Sequence, residues 1–176
     1  MSNALLIREG TQSDAIGVAN LHALSWQTNY RGEYKDEYLN GPVLEDRLNT
    51  WRSRFDSPAN NMHLVVATIE SEIVGFSCVF GGESIKWGSF LDNLHVNPEY
   101  QSSGIGEKLM MSSFGWCRKH HSDQGLYLWV LASNKRAQAF YSRLGAIDCG
   151  GEYSDAPGGG TIHGRRYVWH ELPTPP

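Results

Sequence analysis

The sequence predicts a single α/β domain built on a mixed sheet with helices packed around it. Runs rich in β-branched residues and helical stripes follow one another in the order β-α-α-β-β-β-α-β-α-β-β. The chain has 176 residues, enough for one well-formed core and too few for two comfortable domains. Its hydrophobic content of 40% is ordinary for a globular protein. No internal repeat interrupts the pattern.

Ala4 to Arg8 is a short apolar run that suits a strand. Thr11 with Asp14 resembles a capping box, Asp standing where Glu is usual. The helix it opens is expected to reach about Thr28 and to bury Ile16, Ala19, Ala23 and Trp26. Asn40-Gly41-Pro42 breaks the chain. Leu44, Leu48, Trp51 and Phe55 then recur at steps of four, three and four, a helical stripe. Ser57 to Asn61 is a loop. His63 to Ile69 and Ile73 to Phe80 flank Glu70-Ser71-Glu72 as a hairpin, and Gly81-Gly82 should end its second strand. Phe90 to Val96 is the next strand. A helix from Glu107 to about His121 offers Leu109, Met110, Phe114 and Cys117 to the core. Leu126 to Leu131 is a strand and Lys135 to Leu144 a helix. Ile147 to Tyr153 and His163 to Glu171 are the closing strands, joined through Pro157-Gly158-Gly159-Gly160. The segment Tyr167-Val168-Trp169 could pair with a second copy, making a homodimer, or be covered within one chain. The domain is expected to span residues 4–172, with 173–176 a disordered tail.

The formal net charge of −4 argues against a nucleic-acid binder, which normally carries a basic face. Arg165-Arg166 and Arg118-Lys119-His120-His121 are short clusters that suit a solvated surface. Cys78, Cys117 and Cys149 are widely separated and read as reduced thiols of a cytoplasmic protein. The N-terminal residues lack the basic region and long apolar run of a secretory signal. No apolar run approaches the ~18 residues of a membrane span. His120-His121 makes a poor metal site, because adjacent helical residues diverge, so no metal is expected.

The most informative stretch is Leu94-His95-Val96-Asn97-Pro98-Glu99-Tyr100-Gln101-Ser102-Ser103-Gly104-Ile105-Gly106. It reads as a strand, a turn and a glycine-containing loop that opens into a helix. Unpaired N–H groups and the helix dipole favour an anion at such a terminus. Gly104 and Gly106 let the backbone approach a bulky ligand closely. A phosphate or pyrophosphate is the expected anion. The spacing argues against the ATP-type loop, because Gly106 is followed by Glu107 and not Lys-Ser/Thr. The spacing also argues against the dinucleotide fingerprint, whose third glycine is Leu109 here. Taken alone, Gly104-x-Gly106 also suits a helix-initiating turn without a ligand.

A second block follows: Leu128-Trp129-Val130-Leu131, then Asn134-x-x-Ala137-x-x-Phe140-Tyr141-x-x-Leu144-Gly145-Ala146. Gln101-x-x-Gly104-x-Gly106 and this block, in this order and at this distance, resemble the two cofactor motifs of the Gcn5-related N-acetyltransferase (GNAT) family. The resemblance covers Ile73 to about Gly150 well and the rest in outline. It implies the acyl-CoA N-acyltransferase fold, a mixed and mostly antiparallel central sheet flanked by helices. It also implies transfer of an acetyl group from acetyl-CoA to a primary amine by direct attack in a ternary complex. The backbone of Gln101, Ser102, Ser103, Gly104, Ile105, Gly106 and Glu107 would then hold the pyrophosphate. Leu94, His95 and Val96 would run beside the pantetheine arm, where their strand and the one at Leu126 to Leu131 splay apart. The Val96 N–H would polarise the thioester carbonyl. Asn134 and Ala137 would contact the cofactor, although Asn134 also suits a helix N-cap. Tyr141 would protonate the departing thiolate, or else be a core aromatic.

The base is where the sequence departs from the family. Many members carry a Glu at the position of Phe90. Asp92 is the nearest carboxylate and, by a period of two, shares a strand face with Leu94 and Val96. His95 points to the other face and is a weaker candidate. In the family the first two helices and last two strands usually select the acceptor. Trp26, Tyr30 and Arg31 are the leading substrate contacts, with Asn29, Tyr34, Tyr38 and the Asp155 to His163 loop nearby. The acceptor is a small-molecule or peptide amine of unspecified identity. The rival reading is a non-catalytic acetyl-CoA-binding sensor or regulatory module, and the missing Glu is its support.

Overall fold

The computed structural model describes residues 4–174. Strand β1 (Leu6–Glu9) pairs antiparallel with β2 (Met62–Ile69), β2 with β3 (Glu72–Ser84), and β3 with β4 (Gly88–Val96). β4 runs parallel to β5 (Leu126–Leu131). β7 (Thr161–Trp169) is antiparallel to β5 on one side and to β6 (Ile147–Asp155) on the other. The seven strands form one sheet in the order β1-β2-β3-β4-β5-β7-β6. One parallel pair among antiparallel ones makes the sheet mixed, as the sequence order implies.

Alternation along β2 assigns the two faces. Leu64 and Val66 pack against α1 (Ala15–Asn29) and Trp51 of α3 (Val43–Asp56). Val65 and Ala67 pack instead against Ile105 and Leu109 of α4 (Ile105–His120). Beyond β4, α4 and Tyr141 of α5 (Lys135–Arg143) cover Leu126, Leu128, Tyr167 and Trp169. Phe114 and Trp169 meet edge to face at 5.2 Å in this layer, and both are essentially solvent-free. Burying each such side chain stabilises by roughly 1.5–3 kcal/mol. No helix among the described residues is long and apolar enough to cross a membrane.

The capping box forms at a short 3-10 turn, Gln12–Asp14, that leads into α1. Thr11 N–H donates to Asp14 Oδ2 at 2.7 Å, and Arg8 pairs with the same carboxylate at 2.8 Å. Arg8 holds the Asp14 acid down at about 2.

Several expectations need correction. Ile16 is 56% exposed, and Val18 and Leu21 are buried in its place. α1 carries apolar residues on more than one side, so composition alone gives the helix no phase. On α3, Leu44 is exposed and Val43 is buried. A short helix α2 (Asp36–Asn40) lies between α1 and α3, too brief to leave a periodic signal. Gly81 and Gly82 do not end β3, which continues to Ser84. Gly81 is required by packing: a Cβ there would lie 2.0 Å from His121 Nε2. Of the two arrangements open to the closing strand, β7 takes the second: it is internal to the sheet, and Tyr167, Val168 and Trp169 are buried within one chain. Of the expected tail, Pro175 and Pro176 lie outside the described residues, and the Pro173 carbonyl accepts from Arg118.

Candidate active site

The cleft originates in the pairing of β4. Its register with β3 shifts between Cys78–Asn93 and Val79–Leu91, so Asp92 is an extra, unpaired residue. Such a bulge bends its strand and increases the local twist. β4 and β5 pair only at Ser89–Leu126 and Phe90–Tyr127. Beyond these pairs the strands part, and a cleft of about 640 Å³ opens between Leu91–Val96 and Leu128–Leu131.

The bulge corrects one expectation. Asp92 does not share a face with Leu94 and Val96. Its carboxylate meets Arg54 of α3 at 2.8 Å, and Arg54 also donates to Asn93 Oδ1 at 3.1 Å. Leu94 and Val96 pack on the α4 side. A period of two holds only for an uninterrupted ladder. Asp92 still lines the cleft.

The same ladder shows which main-chain groups are free. Asn97 N–H donates to Val74 O at 2.9 Å, just beyond the Gly75–Val96 pair. Gly75–Val96 is therefore a non-hydrogen-bonded pair, whose N–H and C=O point away from β3. Ser77–Leu94, two residues along, has the same character. The polar main-chain groups of Leu94 and Val96 thus face the opening toward β5, where the Val96 carbonyl accepts from Gln101 Nε2 at 3.5 Å. Those of His95, opposite Phe76, are directed at β3.

At the mouth of the cleft the chain turns into α4. Gly104 is its N-cap, with φ +83°, a left-handed conformation that costs glycine nothing. Lys108 N–H donates to Gly104 O, so the N–H groups of Ile105, Gly106 and Glu107 precede the first intrahelical bond. Tyr100, Gln101, Ser102, Gly104, Ile105, Gly106 and Glu107 border the cleft. Ser103 does not; its hydroxyl donates to the Tyr100 carbonyl. Arg136 reaches across from α5 to Gln101 Oε1 and borders the cleft too. It places a cation beside the unpaired helix N–H groups. Arg136 went unnoticed in the sequence because the resemblance directed attention to its neighbours Asn134 and Ala137.

The α5 side supplies the remaining motif residues. Asn134 Oδ1 accepts from Ala137 N–H at 3.1 Å, so Asn134 is the N-cap of α5, and both residues border the cleft. Tyr141 is 8% exposed and lies edge to face with Trp169 at 6.0 Å. Burial raises its phenol well above the usual value. It therefore remains protonated and uncharged.

The end of α1 closes the opposite side with Ser25, Asn29 and Tyr30. Ser25 Oγ and His95 Nδ1 share a hydrogen bond of 2.7 Å. His95 is enclosed by His22, with ring centroids 4.7 Å apart, and by Phe76. Burial, reinforced by Arg47, lowers its imidazole to about 3, so it is neutral at ordinary pH. The serine was not foreseen, since a lone Ser near the end of a helix carries no distinguishing signal.

Of the three leading substrate contacts, only Tyr30 reaches the cleft. Its phenol is raised by burial first, then by Tyr34, Tyr141 and Asp92. Trp26 is buried beneath it, stacked at 5.7 Å, with the Arg47 guanidinium 4.2 Å over its ring. Arg31 is held at the surface by Asp36 and Asn40. Aromatic packing of the α1–α2 region consumed Trp26, and local pairing consumed Arg31.

A parallel pair splayed beside a helix terminus with unpaired N–H groups is the architecture of the acyltransferase class that the motifs resemble. The acetyltransferase (GNAT) family model matches residues 17–146, and the chain belongs to this family. The fold agrees. The PaiA N-acetyltransferase of Thermoplasma acidophilum, solved in complex with coenzyme A, aligns with a TM-score of 0.66 at 22% identity, over 93% of this chain and 99% of that one. The GNAT acetyltransferase of Streptococcus pneumoniae aligns at 0.69 and 19% identity, covering 96% and 99%. An acetyltransferase of Thermus thermophilus aligns at 0.64 and 20%, covering 94% and 96%. No curated protein matches the chain. The family uses acetyl-CoA, and the residues present suit it: unpaired N–H groups and Arg136 for phosphates, and the outward main-chain groups of Leu94 and the Val96 N–H for an amide-bearing arm.

Proposed function

We propose that the protein transfers an acetyl group from acetyl-CoA to a primary amine, with both bound in the cleft at once. The observation that carries this reading is the outward direction of the Leu94 and Val96 main-chain groups at the strand opening. When bound, acetyl-CoA supplies an acetyl group activated as a thioester. The amine nitrogen forms a C–N bond as the C–S bond breaks, the nitrogen gives up one proton and the sulfur gains one.

Each residue then has a task. The N–H groups of Ile105, Gly106 and Glu107, with Arg136, hold the pyrophosphate. The Val96 N–H donates to the carbonyl oxygen as negative charge develops there. The Tyr141 phenol delivers a proton to sulfur. Burial raises its pKa, and the same enclosure disfavours a thiolate, so the two remain matched. Asp92 accepts the amine's proton directly or through water. Tyr30 flanks the approaching amine.

A second reading is a regulatory module that binds acetyl-CoA without turnover. Its support is the ion pair that engages Asp92 with Arg54, together with Phe90 at the family's Glu position. Incubation with acetyl-CoA and a panel of primary amines, with detection of free thiol, separates the two. Amine-dependent thiol release is expected. Tight coenzyme A binding without release for any amine would favour the second reading.

A further inference from the structure

A second cavity of about 330 Å³ adjoins the cleft at the Tyr30 end. The two share Tyr30, Trp129, Val130 and Leu131. Tyr30 and Tyr34 meet edge to face at 4.9 Å and form one wall. The Trp129 indole, 37% exposed, forms another, beside Ile162 and Gly164. Gly164 lets this ring lie close against β7, because a Cβ there would come 3.2 Å from Trp129 Cε3 and push the ring aside.

The charges of this cavity discriminate between amines. Glu152 is its one charged lining residue, and Arg166 pairs with it at 2.9 Å. The same guanidinium lies 4.3 Å over the Trp129 ring and 4.8 Å from the Trp87 ring. Arg166 thus engages one oxygen of this largely exposed carboxylate and one face of the Trp129 ring. A second ammonium or guanidinium entering here would meet Arg166 as a like charge already paired with Glu152. The Tyr34 phenol, pushed up to about 12 by burial, is uncharged. Flat aromatic walls without free charge select a flat neutral group.

We propose that this cavity receives the body of the acceptor, and that the acceptor is an arylalkylamine whose uncharged ring packs on Trp129 while its amino group enters the cleft. This rests on the acetyltransferase reading and gives it a substrate class.

The test has two arms. The first titrates the protein with coenzyme A and follows thermal stability, which reports the cofactor site alone. The second measures thiol release from acetyl-CoA with tryptamine and 2-phenylethylamine, against n-butylamine and cadaverine. The ring-bearing amines are expected to exceed the alkylamines in kcat/KM by about tenfold or more, the scale of one aromatic contact. Gly164→Val should erase that preference while coenzyme A still stabilises the variant. Gly164→Ala serves the same purpose if the larger residue prevents folding. Alkylamines equal to or better than arylalkylamines, or a preference untouched by both variants, would overturn the substrate class and leave acetyl transfer standing. Coenzyme A stabilisation with no amine acetylated would overturn both. Absence of coenzyme A stabilisation would overturn the cofactor reading itself.

Discussion

Arg54 of α3 pairs with Asp92, the bulged residue of β4, at 2.8 Å. One bulge thus opens the sheet and turns the nearest carboxylate toward a fixed cation. The side chains of the pair are 26% and 24% exposed, so water reaches both. Under the proposed function, this solvent-reached acid is the group that takes up the amine's proton.

Asp92→Asn is therefore expected to lower kcat by about 100-fold, within the usual range for loss of a general base. The acid limb of the pH–rate profile should flatten, while coenzyme A affinity stays near that of the parent. A profile of unchanged shape would remove Asp92 from the proton path.

Tyr141→Phe retains the ring that packs on Trp169 and removes only the hydroxyl. A loss in kcat of about 10- to 100-fold is expected, with coenzyme A affinity nearly intact. Measurement of kcat beside a coenzyme A titration checks this. Equal loss in both would mean that the phenol binds and does not act on the chemistry.

Arg136→Gln tests the phosphate site. Loss of a charge-assisted hydrogen bond costs about 1.5 kcal/mol, which weakens coenzyme A binding by roughly tenfold. The parent's affinity should fall with added salt more steeply than the variant's. Identical salt dependence would show that Arg136 serves only to hold Gln101.

The buried histidines make stability sensitive to acid. His95 has its folded-state value lowered to about 3 by burial, and the unfolded chain has an ordinary imidazole near 6.5. Between those values the unfolded state binds more protons, so stability rises with pH through this window and is complete above it. On lowering the pH to 5.5, His95 alone should remove about 1.4 kcal/mol. His22 is lowered as well, by burial first and then His95, and acts in the same direction. Urea unfolding at pH 7.5 and 5.5 measures the slope, and His95→Gln should reduce it. An unchanged slope in the variant would assign the acid sensitivity elsewhere.

The parts of the site legible in the sequence were those fixed by local chemistry. Gly104 and Gly106 at a helix start, Asn134 at another, and the strands at Phe90–Val96 and Leu126–Leu131 carry their meaning in neighbouring residues. The parts that were not legible depend on partners distant in the chain. The bulge at Asp92 arises from register with β3, so alternation within β4 misassigned its face. Trp26 could be told from a cleft residue only by knowing that Arg47 and Tyr30 cover it. Ser25 gains its place from His95, 70 residues away. Ile16 was misplaced because a helix apolar on several sides has no preferred face until the sheet chooses one.

The central claim is that acetyl-CoA occupies the cleft between β4 and β5. Its most direct test is thermal unfolding of the purified protein with acetyl-CoA, coenzyme A, ATP and NAD in parallel. At a concentration one hundred times its dissociation constant, a ligand of the native state stabilises by about 2.7 kcal/mol. Stabilisation of that size by acetyl-CoA and coenzyme A, and by neither nucleotide, is the predicted result. No shift with either thiol cofactor, or a shift with ATP or NAD alone, would contradict the account.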